Sequence, residues 1–161
     1  MTKTMLLAVA LLGFWSTAFA EMPKEGKYDY MACWSGTRQA SKFSDTHSMV
    51  SYDFSGIIHA NPPGGAFDKE IFHCIGIELI ADGKVISGSN LCEATDKDGN
   101  KRLARFSAAD GKVVREQVVG TGKYEGLTLT PDTIAPLGPF PALKEGTTVN
   151  CNHQTGTYKL K

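Results

Sequence analysis

From Tyr28 onward, short runs rich in Val, Ile, Phe and Thr alternate with compact turn signals. Asp82-Gly83, Asp98-Gly99-Asn100 and Asp110-Gly111 are turns of the hairpin kind, where Gly or Asn takes the positive φ that other residues resist. The runs between them predict strands over residues 28–39, 48–60, 71–80, 84–95, 101–108 and 112–119. A short strand over 126–130 and a long one over 147–160 complete the set. Asn61-Pro62-Pro63-Gly64-Gly65 reads as a loop. Residues 130–141 hold Pro131, Pro136, Pro139 and Pro141 and read as a second loop, crossing one end of the sheet.

No segment beyond residue 20 carries an apolar stripe of period 3.6. About eight strands joined mostly by tight hairpins predict an all-β fold, an antiparallel up-and-down β-barrel whose closure removes both exposed edges. A β-sandwich is the alternative, although it needs longer connections between its sheets.

Residues 1–20 have a different pattern. Lys3 precedes an almost unbroken apolar run from Met5 to Trp15, and Ala18-Phe19-Ala20 supplies the small residues a signal peptidase accepts. The run is too short to cross about 30 Å of hydrocarbon. The expectation is a cleaved signal peptide followed by one domain, residues 21–161, in the periplasm or outside the cell and not in a membrane. The chain has 17 basic and 17 acidic residues, so it lacks the electrostatic footprint of a nucleic-acid binder.

Export makes the four cysteines a disulfide framework first and a metal site second. His73 adjoins Cys74, and His153 follows Cys151 by two, but no CxxC, HxH or HxxxH spacing occurs. No metal is expected, and no motif calls for a cofactor; CxxCH, the haem attachment signal, is missing. In a meandering barrel the first and last strands become neighbours, so Cys33 and Cys151 can staple them. Cys74 and Cys92 stand nearly equidistant from the Asp82-Gly83 turn and can bridge its two arms. This is the least contrived of the three pairings four cysteines allow.

Candidate chemistry gathers in the first three strands. Tyr28, Tyr30, Trp34, Tyr52, Phe54 and Phe72 cluster there, and strand alternation puts Tyr28, Tyr30 and Trp34 on one face. Tyr28, Tyr30, Trp34, Tyr52 and Phe72 are the candidate ligand wall, able to stack on an aromatic or lipid molecule. They serve equally as core filling, since a barrel of about eight strands is often just wide enough for its own side chains. Glu78 lies opposite the row Ile75, Ile77 and Leu79, so either Glu78 or His73 must point into the lumen. The plainer expectation turns the isoleucines inward and Glu78 to solvent. An inward carboxylate would have its pKa raised and stand ready for proton transfer, which makes Glu78 and His73 the catalytic candidates. His47, His59 and His153 are expected at the surface or near strand ends.

Gly120-Thr121-Gly122-Lys123-Tyr124-Glu125-Gly126 is similar to a segment of the allene oxide cyclase barrel proteins, including the dirigent-like proteins. Asp96-Lys97-Asp98-Gly99-Asn100, with Gly88 before it, resembles the same group. The ending from Cys151 to Leu160 resembles that of small exported bacterial members whose role is uncharacterised. The likeness covers roughly residues 71–161. It implies an eight-stranded barrel with an apolar cavity, often a homotrimer, which in the plant cyclases holds a reactive fatty-acid epoxide and in dirigent proteins orients phenoxy radicals. It carries no catalytic residue over to a position here.

Other motifs fail on their own terms. Gly120-Thr121-Gly122-Lys123 lacks a Gly at Gln117 and a Ser or Thr at Tyr124, so it is no Walker loop. Asp96, Asp98 and Asn100 begin like a calcium loop, but Gly99 comes too early and no closing Glu follows. The preferred function is an exported, disulfide-stabilised barrel that binds a small apolar molecule in its lumen. An isomerase or cyclase using the same cavity is the second reading, and an interaction protein with a filled barrel the third.

Overall fold

The computed structural model describes residues 22–109, 111–138, 140–142 and 144–161. The expected signal peptide and Asp110 of one turn motif lie outside the described residues.

Eight antiparallel strands form one sheet: β1 (Glu25–Lys42), β2 (His47–Ala60), β3 (Ile71–Ala81), β4 (Lys84–Thr95), β5 (Lys101–Ala109), β6 (Lys112–Gly120), β7 (Thr128–Pro136) and β8 (Thr147–Lys159). Their order is β6-β5-β4-β3-β2-β1-β8-β7, which rolls the sheet into a nearly closed barrel. The chain termini meet as expected, because β1 pairs with β8 from Glu25↔Lys159 to Thr37↔Thr147. The seam falls instead between β6 and β7, which lie side by side without a ladder.

The proline-rich loop expected over 130–141 is a correction. Residues up to Pro136 belong to β7, paired with β8 alone. An edge strand has one side free of ladder bonds, and the register slips between Pro131 and Thr133. Edges and bulges are where a sheet tolerates proline.

Both disulfides join directly opposed residues, Cys33 with Cys151 across β1/β8 and Cys74 with Cys92 across β3/β4, each with Cα atoms 4.1 Å apart. No thiolate remains for a metal or a nucleophile.

The core is built from aromatic residues facing glycines. Gly36 opposes Phe54, Gly56 opposes Phe72, Gly76 opposes Tyr52, and Gly156 opposes Tyr28. A Cβ at any of these glycines would collide with the ring or backbone opposite. Glycine on one strand thus makes the space that the neighbour's ring fills, and the inner face turns aromatic without overpacking.

One end of the barrel is sealed. The loop 61–70 folds back under β2, where Lys69 N–H donates to the Ile58 carbonyl and Ile58 N–H to that of Glu70. Asp68 fastens it by accepting from the Ala60 and Gly64 amides at 2.9 Å each. Phe67, at φ +67°, pushes its ring into the barrel against Tyr28, Tyr30, Tyr124 and Tyr158. Burial of that ring offsets the cost of a left-handed conformation at a non-glycine residue. The other end carries the four hairpin connections, and there β1 is exposed from Thr37 to Lys42.

Candidate functional site

Above the sealed end, the lumen keeps a cavity of about 100 Å³. Trp34, Phe54 and Phe72 form one wall: Trp34 stacks on Phe54 at 5.3 Å and meets Phe72 edge-on at 6.5 Å. Ala32, Ala94 and Ala104, with their small side chains, leave the middle open, and the Cys74–Cys92 bridge crosses one side. Asn90, Asn152, Gln154, Arg115 and the ion-paired Arg102 bring polar atoms to a mainly apolar lining.

Of the expected ligand wall, Tyr30, Trp34 and Phe72 line this cavity. Tyr28 faces inward but belongs to the packed floor, stacked on Tyr30 at 5.4 Å. Tyr52 stands one layer higher, toward the mouth, stacked on Phe54 at 5.5 Å.

The two catalytic candidates separate, and the plainer expectation about their faces is reversed. Ile71, Ile75 and Ile77 point outward, with exposures of 62%, 53% and 66%. His73 shares that outer face and pairs with Asp53 at 2.9 Å, so it is no lumen group. Glu78 follows Phe72 and Cys74 on the inner face, half-buried, and accepts a long 3.4 Å hydrogen bond from the Tyr52 hydroxyl. Asn90 donates to Tyr52 in turn, at 3.3 Å. Burial raises the Glu78 carboxyl above its ordinary value, against the lowering pull of Tyr52 and Arg38. Glu78 also borders two open clefts at the mouth, of about 570 and 470 Å³. His47, His59 and His153 lie on the surface side as expected; His153 pairs with Asp29 at 2.8 Å. Arg105 faces out and pairs with Glu116.

Sequence reasoning missed three charged residues that prove to be buried: Glu70, Arg102 and Arg115. Glu70 is fully enclosed. Arg102 Nε donates to its Oε2 at 2.7 Å, and the Tyr124 hydroxyl donates to Oε1 at 2.6 Å. Burial alone would lower Arg102, but the carboxylate beside it outweighs that and raises it; burial and the same carboxylate raise Tyr124. Arg115 is different. Its Nη1 donates to the Tyr30 hydroxyl at 2.9 Å and to Gln154 Oε1 at 3.2 Å, its guanidinium lies 5.5 Å over Phe106, and its Nε has no partner. Burial lowers its pKa. A sequence signal existed for Arg102, which shares strand parity with Ala104 and Phe106. Arg115 sits in Lys112-Val113-Val114-Arg115-Glu116, where no alternation marks the inner face.

The turn segments 96–100 and 120–126 touch one another at the sealed end. Lys123 Nζ meets Asp96 Oδ2 at 2.6 Å, and Lys101 N–H donates to the Thr121 hydroxyl at 2.9 Å. Gly122, at φ +55°, lies so close to the Asn100 side chain that a Cβ could not be added. Comparison with family models, with curated proteins and with solved structures returns no match to this chain. What the geometry establishes is an all-β protein with two disulfides and a nearly closed eight-stranded barrel. No helix among the described residues is long and apolar enough to cross a membrane.

Proposed function

We propose that this chain is an exported carrier that holds a small, largely apolar molecule in the barrel lumen without chemistry of its own. The observation that carries the reading is the ring-walled cavity of about 100 Å³ between a sealed floor and the hairpin end. An apolar cavity of about 150 Å³ takes up benzene, so this lumen is on the scale of one small ring and below the roughly 300 Å³ at which drug-sized sites begin. Binding would come from burial of ligand surface at about 25 cal/mol per Å², with Asn90 and Asn152 setting orientation. Export fits the two disulfides. Kinship with the allene oxide cyclase-like barrels rests on the two mutually docked turn segments. A homotrimer would give the outward isoleucines of β3 a partner.

The test is a toluene titration followed by side-chain NMR. Shifts confined to Trp34, Phe54 and Phe72, and lost when Ala104→Phe fills the lumen, support the carrier. Shifts that map to the outer face of β3 would refute it. One observation favours a second reading, an isomerase-type enzyme: Glu78 faces inward beside Tyr52, its carboxyl raised by burial. In that case Glu78→Gln abolishes a turnover while ligand affinity stays within a few-fold. A carrier shows no turnover to lose.

A further inference from the structure

Among the described residues, the fully enclosed charges of the barrel do not balance. The buried ionised side chains are Glu70, Arg102 and Arg115. Glu70 is engaged by Arg102 and Tyr124, which leaves Arg115 among neutral groups, bonded to Tyr30 and Gln154, over the face of Phe106 and near the Tyr28 hydroxyl. Arg102 is close enough to repel it. Arg115 is 7% exposed, borders the cavity, and keeps its Nε without a hydrogen bond. A cation withdrawn from water with no counter-ion is expensive, and neutral hydrogen bonds offset its desolvation less than a pairing anion does. The guanidinium fork suits a carboxylate better than any other common group.

We propose that the lumen ligand is a small carboxylic acid, its carboxylate set against Arg115 and its ring-sized apolar body against Trp34, Phe54 and Phe72. This deepens the carrier reading and rests on it. Size restricts the class: a long acyl chain exceeds a lumen of about 100 Å³ many-fold, whereas a single-ring or short branched acid matches its scale. The apolar wall and the cation lie on the same cavity, so one molecule can satisfy both.

Calorimetric titration with matched pairs, benzoate with benzamide and phenylacetate with phenylacetamide, tests the inference on the intact protein. The acids should bind at least tenfold more tightly than their amides at pH 7. Arg115→Lys, which keeps the charge, should retain most of that preference, and Arg115→Met should erase it while amide affinity persists. Equal binding of acid and amide by the unmodified protein overturns the carboxylate assignment and leaves the carrier reading standing, with Arg115 a structural cation. Failure of both members of each pair to bind overturns the carrier reading and this inference with it. The comparison within the unmodified protein decides the matter even where Arg115→Met does not fold.

Discussion

The two ends of the barrel are built on opposite terms. At the sealed end every strong charge has an answer: Glu70 with Arg102 and Tyr124, and Asp96 with Lys123 and the turn amides of Asp98 and Asn100. In the cavity above it, Arg115 has neutral partners only, and at the hairpin end Glu78 has one long hydrogen bond and β1 runs out into solvent. The difference shows that charge compensation is uneven along the barrel. Packing and charge compensation concentrate where Phe67 and Tyr124 close the floor, and the buried cation without a counter-ion, Arg115, borders the cavity just above it.

The sharpest way to break this comparison is at Glu70. Glu70→Ala leaves Arg102 buried without its counter-ion and should cost about 3–5 kcal/mol in urea unfolding. A loss under about 1 kcal/mol would mean that the floor does not depend on its ion pair. Acid titration is expected to have a smaller effect. Burial by itself raises Asp96, but Lys123, Asn100 and the turn amides outweigh it and bring the carboxyl down to about 2. A depressed carboxyl stabilises the fold above its unfolded value near 4, and that contribution fades as pH falls from about 4 to about 2. Asp96→Asn should remove roughly 2 kcal/mol at pH 7 and flatten the stability curve in that window. The smallest effect belongs to the mouth. Glu78→Gln should change stability by less than about 0.5 kcal/mol at pH 7, in the favourable direction, because burial already disfavours the charged form there. A loss comparable with that of Glu70→Ala would erase the distinction between the two ends.

Much of the fold was legible because local signals and global topology agree. The Asp-Gly turns fix hairpin positions, and strand parity puts Tyr28, Tyr30 and Trp34 on the inner face. The disulfide pairs followed from neighbours in a meander. Two readings went astray for physical reasons. Proline content marks a loop only where both sides of a strand must donate, and β7 has one free side. Hydrophobicity marks the inner face only when the outer face is polar. In β3 the isoleucines at 71, 75 and 77 face out, because Phe72, Cys74, Gly76 and Glu78 hold the inner positions. The charged trio Glu70, Arg102 and Arg115 joins a loop to two strands, from 13 to 45 positions apart in sequence. No local period carries that information. The glycines opposite aromatic residues were visible as letters, but their meaning needed the register.

The most direct measurement is native mass spectrometry of the protein taken from its source, with benzoate added in a second run. The account predicts one small acidic molecule per chain, released on unfolding, and a benzoate adduct where the site is vacated. A bare chain in the first run and no adduct in the second would contradict it.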